Sequence, residues 1–520
     1  MVRVISPEVN FLSYGPVVKL NDSEGKETVL TPDDLVYAAS GVTFKGMKFI
    51  NEIIDMKKEG IDFESKKIKS IIKSAGAGHA SLSTSIGFWS VLQGDCSKLV
   101  DSIFTGATYI SALMPSGRRV PICEEEIVVP RSIANRGGDL LELYLDVSKE
   151  NIKAYEFLQT TGVPKQEASK IVQYGHSGGG FLYMPLETLV YFSKLAESNP
   201  EDMPLEGREI IAQLEKLVHQ NGMGVVYESR KNAPRASNVN PNIFHHRVTF
   251  AEELANEVDI EEIQGPIITY EHDSGSEERA GRIKEYLKNR IRLFETPGEN
   301  WEKSLRELEN IVADYHDSVS VQTLVNTPWR VWGEVKRHRT LKQNSQSIYR
   351  VLDNISSTLG LLHPSEFISV PLSASDGSNF KLWEERAVES ILAYETLINA
   401  GIPESDAVAL IPRGIKFPVI KDFDLYNLTT GYSSLRTCRG TVEPEMRAIT
   451  EEEMNLVRQS EEIEDDVKSL LAPKCHYSGF CPESDYKICC GLVKQVVPVY
   501  NEEMHKGIWA KREAEIRAKL

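Results

Sequence analysis

Arg337, His338 and Arg339 stand in a row, inside a stretch from Trp332 to Arg350 that gathers more functional side chains than any other part of the chain. On a helix, three consecutive side chains fan out by about 100° each and cannot share one partner, whereas at a helix end or in an extended turn they can. Glu334 lies one helical turn before His338 and offers a local ion pair. Lys342, Gln343, Asn344, Ser345, Gln346 and Ser347 follow, with amides and hydroxyls suited to a tight, anion-binding loop. Such a set would hold a phosphate through charge-assisted hydrogen bonds or stabilise a reduced, anionic cofactor ring. The plainer reading is a solvated basic patch after a helix. A second group is Cys475, His476, Cys481, Cys489 and Cys490 near the C-terminus. Its gaps of five and seven residues depart from the close Cys-x-x-Cys type of spacing in strong zinc sites, so it reads as a structural thiol or disulfide tail, with zinc as the alternative. His245 and His246 are adjacent, which suits an exposed pair better than metal ligands.

The order Arg337-His338-Arg339, seven residues, then Ser347 resembles the Arg-His-Arg-x7-Ser signature of the flavin-dependent thymidylate synthases, and Asn344 also falls where that family has Asn. Arg436-Thr437-Cys438 is similar to the family's Arg-x-Cys, and Gly78-His79-Ala80-Ser81 to its Gly-His-x-[Ser/Thr] motif at the flavin site. His316-Asp317-Ser318 aligns loosely with His79-Ala80-Ser81. Two departures are Ser345 in place of Glu and Tyr349 in place of Arg, with Arg350 one residue late.

The resemblance implies an enzyme that methylates C5 of dUMP to dTMP with FAD, methylenetetrahydrofolate and reduced nicotinamide (NADPH). Arg337, His338 and Arg339 would be catalytic and, with His316, Ser318 and Asn344, hold the cofactor. Glu334, Gln346, Ser347, Arg350 and Arg436 would hold the nucleotide, with Ser116, Gly117 and Arg118 from the first half. The family uses no enzyme cysteine as nucleophile. Ser345 and Tyr349 motivate two other readings, a flavin enzyme for a different pyrimidine nucleotide and a homologue that binds nucleotide or flavin without turnover.

The chain also repeats itself. Tyr155-Glu-Phe-Leu followed by Gly162-Val-Pro164 returns as Tyr394-Glu-Thr-Leu followed by Gly401-Ile-Pro403, a period near 240 that suits two fused homologous domains. Counted back from Ser116, the cationic triplet is replaced by Gly106, Ala107 and Thr108, and Glu187 stands where the family has a flavin-contacting arginine. The first copy is therefore expected not to bind flavin in the usual way. The fold class expected is α+β, two flavin-dependent thymidylate synthase-like domains in tandem, helix-rich, each with a small antiparallel sheet. The boundaries expected are 1–225 for the degenerate copy, 226–265 for an Asn-, Pro- and Ser-rich linker, and 266–520 for the copy with the triplet and the Cys-rich tail.

Length and charge agree with that organisation. A chain of 520 residues suits two or three domains. A formal net charge of −17 argues against a general nucleic-acid or membrane-surface binder and for a small ligand in a local basic pocket. Seven cysteines, an odd number, fit a reducing compartment. No apolar run reaches the length of a membrane span and the first residues lack a signal-peptide pattern, so the cytoplasm is expected. A homodimer is expected too, because the resemblance implies four-subunit assemblies and two fused copies need only two chains.

Overall fold

The computed structural model describes residues 2–21, 27–60, 62–116, 120–234, 241–258, 265–296, 298–360, 363–375 and 377–520. The chain forms two compact units. One holds residues 1–248, 328–333 and 347–415, and the other holds 249–327, 334–346 and 416–520. Both are helix-rich with small antiparallel pairings, the α+β class expected.

In the first unit, strands β1 (Ser6–Gly15), β2 (Gly87–Asp95), β3 (Ser111–Leu113) and β4 (Gly180–Pro185) form a sheet in the order β1-β2-β4-β3. Alternation along β2 puts Phe88, Ser90 and Leu92 in the interior, opposite Met184, Leu182 and Gly180 of β4. The helix Leu205–Gln220 is tied to β1 by Gln213, which donates to Pro7 O (2.8 Å) and accepts from Val9 N (3.0 Å). Thr31 caps the helix Pro32–Lys45 with Asp34 answering in a capping box, and Pro32 sits in the first turn.

Two 23-residue helices, Gly138–Thr160 and Gly377–Asn399, pack together in this unit. Asn151 Nδ2 on one donates to Ser390 Oγ on the other at 3.0 Å, across a sequence separation of 239. Both helices start and end 239 residues apart, and so do the turns that follow, Lys165–Ala168 and Glu404–Ala407, then Ser169–Ile171 and Val408–Leu410. Gly162 and Gly401 stop the two helices at φ 94° and 82°, backbone that a Cβ disfavours. The contacts between the repeats are reciprocal. Gly175 N donates to Ala409 O and Gly414 N to Lys170 O, with each member displaced by the same 239 from its counterpart.

In the second unit, β5 (Ile267–Asp273), β6 (Val319–Pro328, of which Pro328 belongs to the first unit), β7 (Lys342–Ser345) and β8 (Lys416–Asp424) follow the order β5-β6-β8-β7, the same arrangement as the first sheet. Two charged helices follow in this unit, Glu277–Leu293, capped by Ser276, and Trp301–Asp314. Arg279 is 1% exposed and ties this unit together, with bonds to Asp273 (2.6 and 2.9 Å) and Asp466 (2.8 and 3.0 Å). The tail forms its own apolar centre from Phe294, Cys475, Phe480, Cys481, Val493, Val497 and Tyr500.

The stretch expected to be a linker is more ordered than its composition suggests. Its start lies within the helix Gly224–Lys231, Ile243 and Phe244 are buried, and Phe250–Glu257 is a helix capped by Thr249. Apolar residues spaced among the Asn and Pro anchor it, and residues 235–240 and 259–264 lie outside the described parts. The chain passes from the first compact unit to the second at 248/249, inside this stretch, but 328–333 and 347–415 return to the first unit. The segment Ser81–Leu92 is one helical turn, Ser81–Thr84, followed by β2.

Candidate active site

The triplet leaves the C-terminal end of the helix Trp329–Val335, where His338 N donates to Val335 O at 3.0 Å and Leu341 N to His338 O at 3.1 Å. This turn lets the three side chains diverge from helical spacing. Arg337 and Arg339 are exposed, while His338 turns inward and is half-buried.

Arg436 fixes the His338 ring. Its Nε donates to His338 Nε2 at 2.7 Å, its Nη1 lies 3.0 Å from Glu334 Oε2, and its Nη2 reaches Glu334 O at 3.4 Å. Nε2 is therefore an acceptor, which assigns the ring proton to Nδ1. Burial, with the Arg436 charge beside it, holds the His338 imidazole down to about 3, so the ring is neutral at physiological pH. Burial and the neighbouring Arg337 charge also lower Arg339, whose Nη1 donates to Arg337 O at 3.4 Å. Two guanidinium groups two residues apart in one turn, beside a neutral imidazole, repel one another, and an anion between them would relieve that repulsion.

Behind His338 lies a cluster that no motif announces. The Tyr432 ring meets the imidazole edge-on at 4.9 Å, and its hydroxyl lies 3.5 Å from Lys421 Nζ. Lys421 and Glu453 form a 2.6 Å ion pair with neither side chain exposed, and Thr323 Oγ1 donates to the same Glu453 oxygen at 2.8 Å. Burial pulls Lys421 down, but the Glu453 charge outweighs it and leaves the ammonium above its ordinary value. The available signal in the sequence was a charge at Lys421 amid the apolar Phe417, Val419, Ile420 and Phe423 of β8.

Some expected site residues join this centre and others do not. Glu334 joins it through Arg436, which has both His338 and Glu334 as partners. His316 reaches it indirectly. Its Nε2 lies 3.0 Å from Asp424, which accepts from Asn427 Nδ2 (3.0 Å), and Asn427 and Thr340 bond each other beside the triplet. Ser318 is committed elsewhere, accepting from Arg279 (2.9 Å) and donating to Tyr315 O (2.8 Å). Asn344 Oδ1 accepts from Ala251 N (2.9 Å) in the first turn of the helix Phe250–Glu257. Gln346 is buried, its backbone N bonded to Pro418 O.

Ser347 and Arg350 belong to the first unit. Ser347 is fully buried and caps the helix Ile348–Thr358, its Oγ accepting from Tyr349 N (3.2 Å) and donating to His245 O. Arg350 is half-buried and its charge acts on Asp353, whose carboxyl burial pushes up. Tyr349, at the position of the missing arginine, is a core residue stacked on His246 at 4.8 Å. Ser116 is half-buried, and Gly117 and Arg118 lie outside the described residues.

At the positions aligned with the triplet in the first half, Ala107 N donates to Phe104 O at 3.3 Å, as His338 N does to Val335 O. Glu187 is 1% exposed, with Arg230 on both carboxylate oxygens (2.7 and 2.9 Å) and the Ser83 hydroxyl at 2.6 Å.

Residues 271–460 match the family model described as Thymidylate synthase complementing protein. The resemblance to the flavin-dependent thymidylate synthases holds. Enzymes of that name from Pyrococcus furiosus and Pyrococcus abyssi are 27% and 24% identical over 156 residues, 29% of this chain and 60% of each relative. The chain thus spans about three fifths of the length of these flavin-dependent thymidylate synthases. Two solved structures overlap it loosely. A UMP/dUMP methylase, PolB from Streptomyces cacaoi bound with 5-Br dUMP, is 12% identical, covering 46% of this chain and 100% of its own with a TM-score of 0.34. A flavin-dependent thymidylate synthase from Helicobacter pylori complexed with FAD and dUMP is 14% identical, covering 40% and 98% with a TM-score of 0.27.

Proposed function

We propose that this protein methylates dUMP to dTMP, with FAD as the cofactor and methylenetetrahydrofolate and a reduced nicotinamide nucleotide as co-substrates. The observation that carries this reading is the Arg337-His338-Arg339 turn inside the matched region, with His338 held neutral by burial and by Arg436, which Glu334 holds in place. The residues fit an anionic flavin, because two exposed guanidinium groups flank a neutral ring whose Nδ1–H is a donor. Bound FAD would supply the hydride chemistry. Arg337 and Arg339 would offset negative charge on it, and His338 would donate from Nδ1 to a carbonyl acceptor of flavin or pyrimidine. Glu334 and Arg436 act through His338 and are positioning residues. Phosphate binding beside Ile348 would rest on the Arg350 guanidinium, because the Ser347 hydroxyl and the backbone N–H groups of Gln346, Ile348 and Tyr349 are already engaged.

The repeated elements support a tandem duplication in which the first copy lost its flavin-contacting side chains. A second reading, another pyrimidine nucleotide as substrate, is favoured by Ser345 and by the core position of Tyr349. Both readings are tested together. Purified protein is expected to be yellow or to take up FAD, and to release tritium from C5-labelled dUMP only with folate and reductant present. Release from labelled UMP and not dUMP would replace the first reading with the second. Failure to take up FAD would sink both.

A further inference from the structure

Five of the seven cysteines line one cavity in the second unit. Cys438 follows the helix Tyr432–Arg436, Cys475 opens the short helix Cys475–Ser478, and Cys481, Cys489 and Cys490 come from the turns after it. Cys475 has Cys438, Cys481 and Cys490 as electrostatic neighbours, and Cys481 is hydrogen-bonded to Cys489. The cavity measures about 10 Å³, room for about one atom-sized occupant. Its other walls are Pro473, Lys474, Pro482, Ile488, Leu492 and Val493, mostly apolar, with the Lys474 ammonium paired to Glu483. His476, the residue in the tail motif best suited to join a ligand set, does not line it, and its Nε2 bonds Leu492 O at 3.1 Å.

A thiol cluster can be ordinary apolar packing, since a free cysteine behaves as a small hydrophobe. Packing alone would close the space, because interiors leave few voids and each void forfeits contacts. Here cysteines from sites far apart in sequence line a space that stays open. We propose that this cavity is a binding site for one thiophilic divalent cation, zinc by preference, held by Cys438, Cys475, Cys481 and one of the adjacent pair Cys489 and Cys490.

Among the described residues, no group of three or more His, Cys, Asp or Glu side chains already has metal-holding geometry. That is the arrangement neutral thiols adopt, since an S–H group bonds its neighbour, as Cys481 and Cys489 do, and has no reason to aim at a common point. Binding exchanges four S–H protons for four S–metal bonds, releases those protons to solvent and changes no oxidation state. Side-chain rotation about Cα–Cβ, the torsion that sets where a thiol points, is the adjustment required. The ion would staple Cys438 to the tail and hold the apolar centre of Phe480, Val493 and Val497 in place.

The test is metal analysis of the full-length protein, purified under reducing conditions and dialysed against a chelator too weak to strip thiolate zinc. About one zinc per chain is expected, as in closed four-ligand sites. Replacing zinc by Co²⁺ should give the strong visible absorption of tetrahedral thiolate coordination. Cys475→Ser and Cys481→Ser should each lose the ion, and Cys123→Ser, whose thiol is outside the cavity lining, should keep it. Should the first two variants fail to fold, the zinc content and cobalt spectrum of the unaltered protein decide alone. Absence of metal with all seven thiols titrating free would overturn the proposal. So would absence of metal with a disulfide seen as a mass lower by two hydrogens.

Discussion

His338 is a histidine kept neutral by its surroundings, and two predictions follow from that. Replacing His338 and Arg339 together by Ala should strip flavin from the protein while leaving it folded, because Arg339 is exposed and His338 only half-buried. Flavin absorbance per chain and far-UV circular dichroism read the two effects, and unchanged flavin content would remove the triplet from the cofactor site. The second concerns pH. A histidine whose folded value is about 3 binds fewer protons when folded than when unfolded across the interval up to its ordinary value. Its contribution to stability is complete above that ordinary value and is lost as pH falls towards the folded one. At about 1.4 kcal/mol per unit the loss is at most about 5 kcal/mol, and less for a half-buried ring. Urea unfolding of the unaltered protein and of His338→Gln should therefore show curves that converge as the pH is lowered from about 7 to about 4. A stability difference independent of pH would contradict the assignment. The type and order of these residues were legible in the sequence, but the ring's neutrality was not, because Arg436 is 98 positions away.

At the scale of elements, Ser347 is a motif residue with a structural task of its own. Its hydroxyl caps the helix Ile348–Thr358 and satisfies His245 O in a fully buried position. Ser347→Ala should cost about 1–3 kcal/mol, a lost cap plus an unsatisfied buried carbonyl. Denaturant midpoints with an unchanged m-value would show it, and a variant that keeps full stability but loses nucleotide affinity would restore the direct phosphate role. Glu187 poses the converse case in the first copy. Removing its carboxylate with Glu187→Ala leaves the Arg230 charge buried without its main counter-ion and should destabilise by about 3–5 kcal/mol. Flavin content corrected for folded protein should stay constant, and a specific loss of flavin would give the first copy a cofactor role.

At the scale of the whole molecule, two sheets of one strand order and two helices 239 residues apart lie in a single chain. The reciprocal contacts between residues 170–175 and 409–414 have the form of a two-fold interface between identical subunits, here made by one chain with itself. If the duplicated chain does the work of two subunits, a homodimer supplies four copies, and light scattering at micromolar concentration should give twice the 58.3 kDa of one chain. An active monomer would count against that assembly. Among the described residues no helix is long and apolar enough to cross a membrane.

The α+β class, the duplicated helix and turn, the triplet and its likeness to a family were determined by the sequence alone. Each rests on neighbours within a few residues or on a pattern that repeats, and both survive in a linear string. The tertiary structure decided that Arg436 and Glu334 hold His338, that Lys421 and Glu453 lie buried behind Tyr432, and that Asn344, Ser318 and Ser347 spend their side chains on structure. It also brought Cys438 to the tail thiols across 37 residues of intervening helix and loop, ending at Cys475. A side chain's partner depends on which distant segments pack beside it, and on how much water that packing removes. Composition and spacing along a chain carry neither quantity.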